Sequence, residues 1–153
     1  MSGLSHVNER GEARMVDVAQ REVSVRTAVA TGRVTTTAAP AIADGSVPKG
    51  DVLATARIAG IMATKRTPDL IPMCHPIAVH GVEIDLVVDE VGVGITATVR
   101  TADRTGVEME ALTAVSVAAL TIIDMTKALD PAAMINDVRV ERKTGGRSGE
   151  WSR

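Results

Sequence analysis

The sequence has no phenylalanine and no tyrosine, and its one tryptophan, Trp151, is third from the end of the 153 residues. A core must therefore be packed with Val, Ile, Leu, Ala and Met. The same absence argues against single-stranded nucleic-acid binding, which relies on rings that stack on bases. Seventeen Lys and Arg against nineteen Asp and Glu leave no basic field for nucleic acid either, although a local group of cations can still hold a small anion. A single cysteine, Cys74, excludes an internal disulfide and a Cys-rich zinc site, and it suits a reducing, cytoplasmic compartment. Residues 1–20 show no apolar signal segment. The longest apolar stretch, 111–123, is interrupted by Thr113, Ser116 and Thr121 and falls short of the ~20 residues of a membrane span. A soluble chain with neither a membrane nor a nucleic-acid partner is expected.

Length points to one domain over 1–153, with mobile ends at 1–13 and 144–153. Val23, Val25, Thr27, Val29 and Thr31 alternate with Ser24, Arg26, Ala28 and Ala30, a period of two that predicts a strand with Arg26 opposite the valines. Asp51 is placed to N-cap a helix running to about Arg66, where Pro68 turns the preceding residue extended; Gly60 in that helix suits close approach to a neighbour. Val82 to Val88 and Ile95 to Val99 form a hairpin about Gly92. A second helix opens at Thr105-Gly106-Val107-Glu108, with capping-box spacing, and closes at Asp130-Pro131; a strand over Val138 to Lys143 follows. Strand, helix, strand, strand, helix, strand is the split βαβ order of a ferredoxin-like α+β fold, an antiparallel sheet with its helices on one face. The segment Ala111 to Ile123 is apolar all round, and oligomerisation is the simplest way to cover it.

Three places could carry chemistry. On the second helix, at about 100° per residue, Glu110, Thr113, Ser116, Asp124 and Lys127 share one stripe. A solvated face with an ordinary i, i+3 pair accounts for that spacing. A lysine beside an aspartate is also an acid–base arrangement, with desolvation and the carboxylate pulling the lysine pKa in opposite directions. In Pro72-Met73-Cys74-His75-Pro76 the flanking prolines hold the segment extended. Neighbours on an extended chain point apart, so Cys74 and His75 do not form a nucleophile pair. His6 and His80, the other histidines, give too few ligands for zinc. Lys49-Gly50-Asp51 sets a cation before a helix start, where backbone N–H groups favour anions, but without P-loop glycines it reads equally as solvated.

Taken together, Lys49-Gly50-Asp51-Val52, Ala56-Arg57-Ile58-Ala59-Gly60-Ile61, Leu70-Ile71-Pro72-Met73-Cys74-His75-Pro76, Thr105-Gly106-Val107-Glu108-Met109-Glu110 and Asp124-Met125-Thr126-Lys127 resemble the signature blocks of the cyclic pyranopterin monophosphate synthase family, also called molybdenum cofactor biosynthesis protein C. The resemblance runs from Met15-Val16-Asp17-Val18 to Lys143-Thr144-Gly145-Gly146-Arg147-Ser148-Gly149. Departures are few: Met73 replaces the family's usual Leu and Thr64 its usual Ala.

The resemblance implies a ferredoxin-like subunit in a homohexamer, a trimer of dimers, with active sites at subunit interfaces. It implies a lyase that rearranges a cyclised dihydro form of GTP to the pyranopterin bearing a cyclic phosphate and releases pyrophosphate, with no metal or organic cofactor. By motif, Asp124, Lys127 and Lys49 match the catalytic residues, and Met73, Cys74, His75, Met109 and Glu110 match substrate-contacting positions. Arg26 and Glu108 fit the same pocket through looser blocks. If the two lysines come from different chains, mixing inactive Lys49→Ala and Lys127→Ala subunits restores activity. Two other readings compete: an oligomeric nucleotide sensor, which has no need of Asp124 and Lys127, and a polar stripe that only registers an interface, in which case Lys127→Ala dissociates the oligomer.

Overall fold

The computed structural model describes residues 5–153; for residues 1–4 the expectation of a mobile end lies outside the described residues. The elements are β1 (Ser24–Thr35), α1 (Ala39–Asp44), α2 (Val52–Thr64), α3 (Thr67–Leu70), β2 (Gly81–Val88), β3 (Gly92–Asp103), α4 (Glu108–Thr126), β4 (Met134–Thr144) and β5 (Trp151–Ser152). The sheet order is β2-β3-β1-β4-β5, with every neighbouring pair antiparallel. Strand β3 separates β1 from β2, and α2 and α4 pack on one face, so the expected ferredoxin-like α+β arrangement is present.

The alternation in β1 has the expected period, but the face that enters the core is the alanine face. Ala28, Ala30 and Val34 are fully buried, whereas Val25 is 60% exposed on the open side of the sheet. Helix proximity explains this choice. A Cβ on Gly32 would lie 2.5 Å from Val115 Cγ1, and one on Gly60 of α2 would lie 2.4 Å from Ile84 Cδ1 and 3.0 Å from the Ala114 carbonyl of α4. Small side chains let two helices and the sheet approach closely, and a core without aromatic rings gains its density that way. The expected close approach at Gly60 is realised here.

Asp51 caps α2 as expected, its Oδ1 accepting from the Ala54 N–H at 3.0 Å. The capping box does not form on α4. Its N-cap is Val107, with no side-chain cap, because Glu108 turns instead to Lys143. Pro68 does not end helical structure either: it occupies the first turn of α3, where a missing N–H costs nothing. The next segment is a turn closed by Cys74 N–H to Ile71 O, so the chain becomes extended only from Cys74 onwards.

Helix α4 is long and apolar enough to cross a membrane by length and composition, but it is a core helix. Ala111, Ala114, Val115, Ala118, Ala119 and Ile122 are fully buried between the sheet and α2. Its all-round apolarity is thus largely satisfied within one chain. Among the apolar residues left exposed on the helices are Ile58 and Met62 of α2 and Leu120 of α4, each near 60%.

The chain ends carry defined contacts. Residues 5–14 turn back on themselves, with Val7 bridging Ala13 and the Arg14 N–H reaching His6 O. The other end returns as β5, pairing Trp151 with Lys143 and Ser152 with Arg142.

Candidate functional site

The two ends of α4 hold the candidate residues, in two separate groups. At its C-terminal end the Lys127 Nζ donates to Asp124 Oδ1 at 2.8 Å. The Lys49 side chain, from the loop before α2, reaches the same residue, donating to Asp124 O at 3.0 Å and Oδ2 at 3.3 Å. Lys49 therefore crosses to the end of α4, and the N-terminus of α2 is served by Asp51. The three side chains are about half exposed. The Lys127 bond above all, and then Lys49, hold the Asp124 carboxyl below its ordinary range, so it is a carboxylate at neutral pH. A buried brace fixes this corner: Asp130 Oδ2 accepts from Thr36 Oγ1 at 2.8 Å and from the Thr37 N–H at 2.9 Å, tying the chain after α4 to the chain entering α1.

The N-terminal end of α4 borders a trough. One cavity of about 250 Å³ is lined by Met73, Cys74, His75, Glu108 and Met109, together with Ser5, His6, Val16 and Arg21. Next to it, Arg26, Glu108 and Lys143 line a cavity of about 190 Å³, and Arg21, Arg26 and Arg147 line one of about 690 Å³. Glu108 pairs with Lys143 at 3.1 Å, and the Arg26 Nε donates to Asp103 O at 3.3 Å. Arg26 reaches this place because it lies on the helix face of β1.

Glu110 lies at the inner edge of this group, 1% exposed. The Cys74 thiol approaches its Oε1 at 3.5 Å, and its Oε2 is buried without a hydrogen-bond partner. Burial, reinforced by the Glu108 charge, raises the Glu110 pKa. Burial first, and then Glu110, push the Cys74 thiol up to about 11, so it is a thiol and not a nucleophilic thiolate near neutrality. His75 points elsewhere: its Nε2 meets the Val16 carbonyl, to which an Nε2 hydrogen donates. Cys74 and His75 do not pair, as expected.

Glu108 and Lys127 are separated by the whole of α4, about 28 Å at 1.5 Å per residue. Within one chain both lysines of the first group meet on one Asp124, whereas the Lys49–Lys127 mixing argument takes them from different chains. The polar stripe is also divided: Glu110 and Thr113 are buried, whereas Asp124 and Lys127 face solvent.

The trough contains cations that the motifs did not single out as site residues, namely Arg21, Lys143 and Arg147. The legible signal for two of them is the glycine pair in Lys143-Thr144-Gly145-Gly146-Arg147. Gly145 and Gly146 have φ of +90° and +74°, and Cβ atoms there would run into Val25 O and the Arg26 guanidinium at 2.2 and 2.1 Å. The pair folds the segment against Arg26, a path closed to other residues.

The chain is similar in sequence to known proteins over nearly its whole length. Residues 15–146 match the MoaC family. The chain is 64% identical to a cyclic pyranopterin monophosphate synthase of Streptomyces coelicolor, over 98% of this chain and 89% of the relative. It is 60% identical to cyclic pyranopterin monophosphate synthase 2 of Mycobacterium tuberculosis, over 98% and 91%. Identity to the synthase of a Roseiflexus species is 57%, over 99% and 98%.

Proposed function

The chain belongs to the MoaC family, and we propose that its two groups of side chains, one from each of two subunits, together form the reaction centre of a cyclic pyranopterin monophosphate synthase. It is an enzyme of molybdenum cofactor biosynthesis, a lyase that converts cyclised dihydro-GTP to cyclic pyranopterin monophosphate and pyrophosphate. The observation that carries the two-subunit arrangement is the separation along α4. A nucleotide cannot touch Asp124 and Glu108 of one chain at once, whereas a neighbouring copy can bring its Lys49, Asp124 and Lys127 over this chain's trough. Exposed Ile58, Met62 and Leu120 supply apolar surface for assembly, and a homohexamer of three dimers in the cytoplasm is the form proposed.

In the proposed centre, Met73, Cys74 and Met109 contact the base, Glu110 backs Cys74 from beneath, His75 and Glu108 border the base, and Arg26 with Lys143 neutralises the phosphates. Closure of the cyclic phosphate forms one P–O bond from a sugar hydroxyl to the α-phosphorus and breaks the bond to the β-phosphate oxygen. The hydroxyl proton must leave, and negative charge gathers on the departing pyrophosphate. Lys49 and Lys127 stabilise that charge, and Asp124 takes or relays the proton. Lys127 first and then Lys49 keep the Asp124 pKa low, so Asp124 enters the reaction as a carboxylate able to accept the hydroxyl proton.

The test is pyrophosphate release and pterin formation from cyclised dihydro-GTP, comparing wild type with Lys127→Ala and Asp124→Asn at matched oligomeric state. Turnover by wild type alone is expected. An assembled wild type that binds the nucleotide without turning it over would replace this reading with that of a sensor.

A further inference from the structure

The cavity beside Cys74 has one wall that the family match does not reach. The match begins at residue 15, yet Ser5 and His6 line that cavity together with Met73 and Met109. The wall is built from backbone and one organising side chain. Asn8 Oδ1 accepts from the N–H groups of Arg10 and Glu12 at 2.9 and 3.0 Å, and the Arg14 N–H bonds the His6 carbonyl at 2.9 Å. Beyond this turn the Val16 carbonyl meets His75 Nε2, fastening the arm to the rim of the pocket.

Composition makes the position of His6 informative. Guanine and pterin rings are flat π surfaces, and sites for them ordinarily offer a flat partner. This chain has no Phe or Tyr, and Trp151 lies in β5 with Arg153 over its ring, 5.7 Å from the centroid. Imidazole is the remaining aromatic surface, and two of the three histidines, His6 and His75, line this cavity. The edge of His75 is engaged by Val16, whereas His6 is exposed on the arm. Met73 and Met109 in the same lining supply polarizable thioethers, which pack well against ring faces.

We propose that residues 5–18 form the outer wall of the base pocket and that the His6 imidazole stacks on the heterocycle of the bound nucleotide, with Met73 and Met109 on its other side. This rests on the reading of the trough as the substrate site. His6 is then a substrate-contacting residue whose contribution is a ring face, with no proton transferred.

The test compares wild type, His6→Ala and His6→Phe at matched circular dichroism and oligomeric state. It measures GTP affinity by calorimetry, and KM and kcat for cyclised dihydro-GTP. His6→Ala should weaken GTP binding and raise KM by about 10-fold, while His6→Phe should retain both values, because stacking tolerates exchange of one ring for another. Unchanged affinity and KM in His6→Ala would overturn the inference, as would equal losses in both variants, which would assign a polar contact. The two readings fail separately. Normal wild-type turnover with an unaffected His6→Ala removes His6 and leaves the synthase. Absent wild-type turnover, with GTP affinity still falling in His6→Ala alone, removes the synthase and leaves His6.

Discussion

Lys49 and Asp124, 75 residues apart in sequence, are joined twice, once through the Asp124 carbonyl and once through its carboxylate. Lys127 adds a third bond to the same residue. Three charged side chains converge at a half-exposed corner that contributes little to the core, and exposed pairs of this kind add little to stability.

Function and folding should therefore separate at this corner. Asp124→Asn and Lys127→Ala are each expected to lower kcat by about 10²- to 10⁴-fold, the usual range for a positioned acid–base group. Thermal unfolding should stay near wild type. Assays at matched oligomeric state with parallel melting curves check this, and a melting temperature that falls along with activity would assign the cluster to structure.

Subunit mixing discriminates between the ends of α4. Lys49→Ala and Lys127→Ala damage the same group, so their mixture should stay inactive. Lys127→Ala mixed with Arg26→Ala damages opposite groups. Random re-pairing should then return roughly a quarter of wild-type activity, since half of the dimers are mixed and each of these has one intact centre. Both mixtures are assayed after verified subunit exchange. Recovery in the first mixture but not the second would refute the arrangement.

Gly60 records how closely the helices approach. Gly60→Ala gains helix propensity, worth up to about 1 kcal/mol. The new Cβ, however, meets Ile84 Cδ1 at 2.4 Å and the Ala114 carbonyl at 3.0 Å. The isoleucine tip can move, but the carbonyl cannot move without displacing α4, so the clash should dominate. Overpacking of this kind costs roughly 1–3 kcal/mol. A lowered denaturant midpoint with an unchanged slope, at fixed protein concentration, is the expected result.

Much of this was legible in the sequence where one residue type has one local use. Asp51 at a helix start, the period of two in β1 and the spacing of α2 and α4 follow from backbone chemistry alone. What local pattern could not supply depends on contacts distant in sequence. The alternation in β1 set two faces apart without saying which enters the core. Helix proximity decides it, admitting Ala28 and Ala30 and leaving Val25 outside. Glu108 had the spacing of a cap, but Lys143, 35 residues on, offered a closer charge partner. The stripe on α4 joined residues by helical angle; burial divides it, because only the N-terminal part lies under the Cys74 segment.

The Glu110–Cys74 contact carries the pH prediction. Burial raises the Glu110 pKa above its unfolded value of about 4.3. Below that value both states hold the proton and burial costs nothing. As pH rises through it, the unfolded chain ionises first, so Glu110 becomes destabilising, fully so above its folded pKa. Glu110→Gln should thus match wild type in stability at low pH and exceed it at higher pH, as denaturant midpoints across pH would show. Cys74 supplies a second readout. With its thiol raised to about 11, alkylation by iodoacetamide should climb tenfold per pH unit through pH 9 and 10, where an unfolded control levels off near 8.5. Glu110→Gln should move that rise only part of the way down, because burial is the larger cause. A rate already level at pH 9 in the folded wild type would refute the buried Glu110–Cys74 contact.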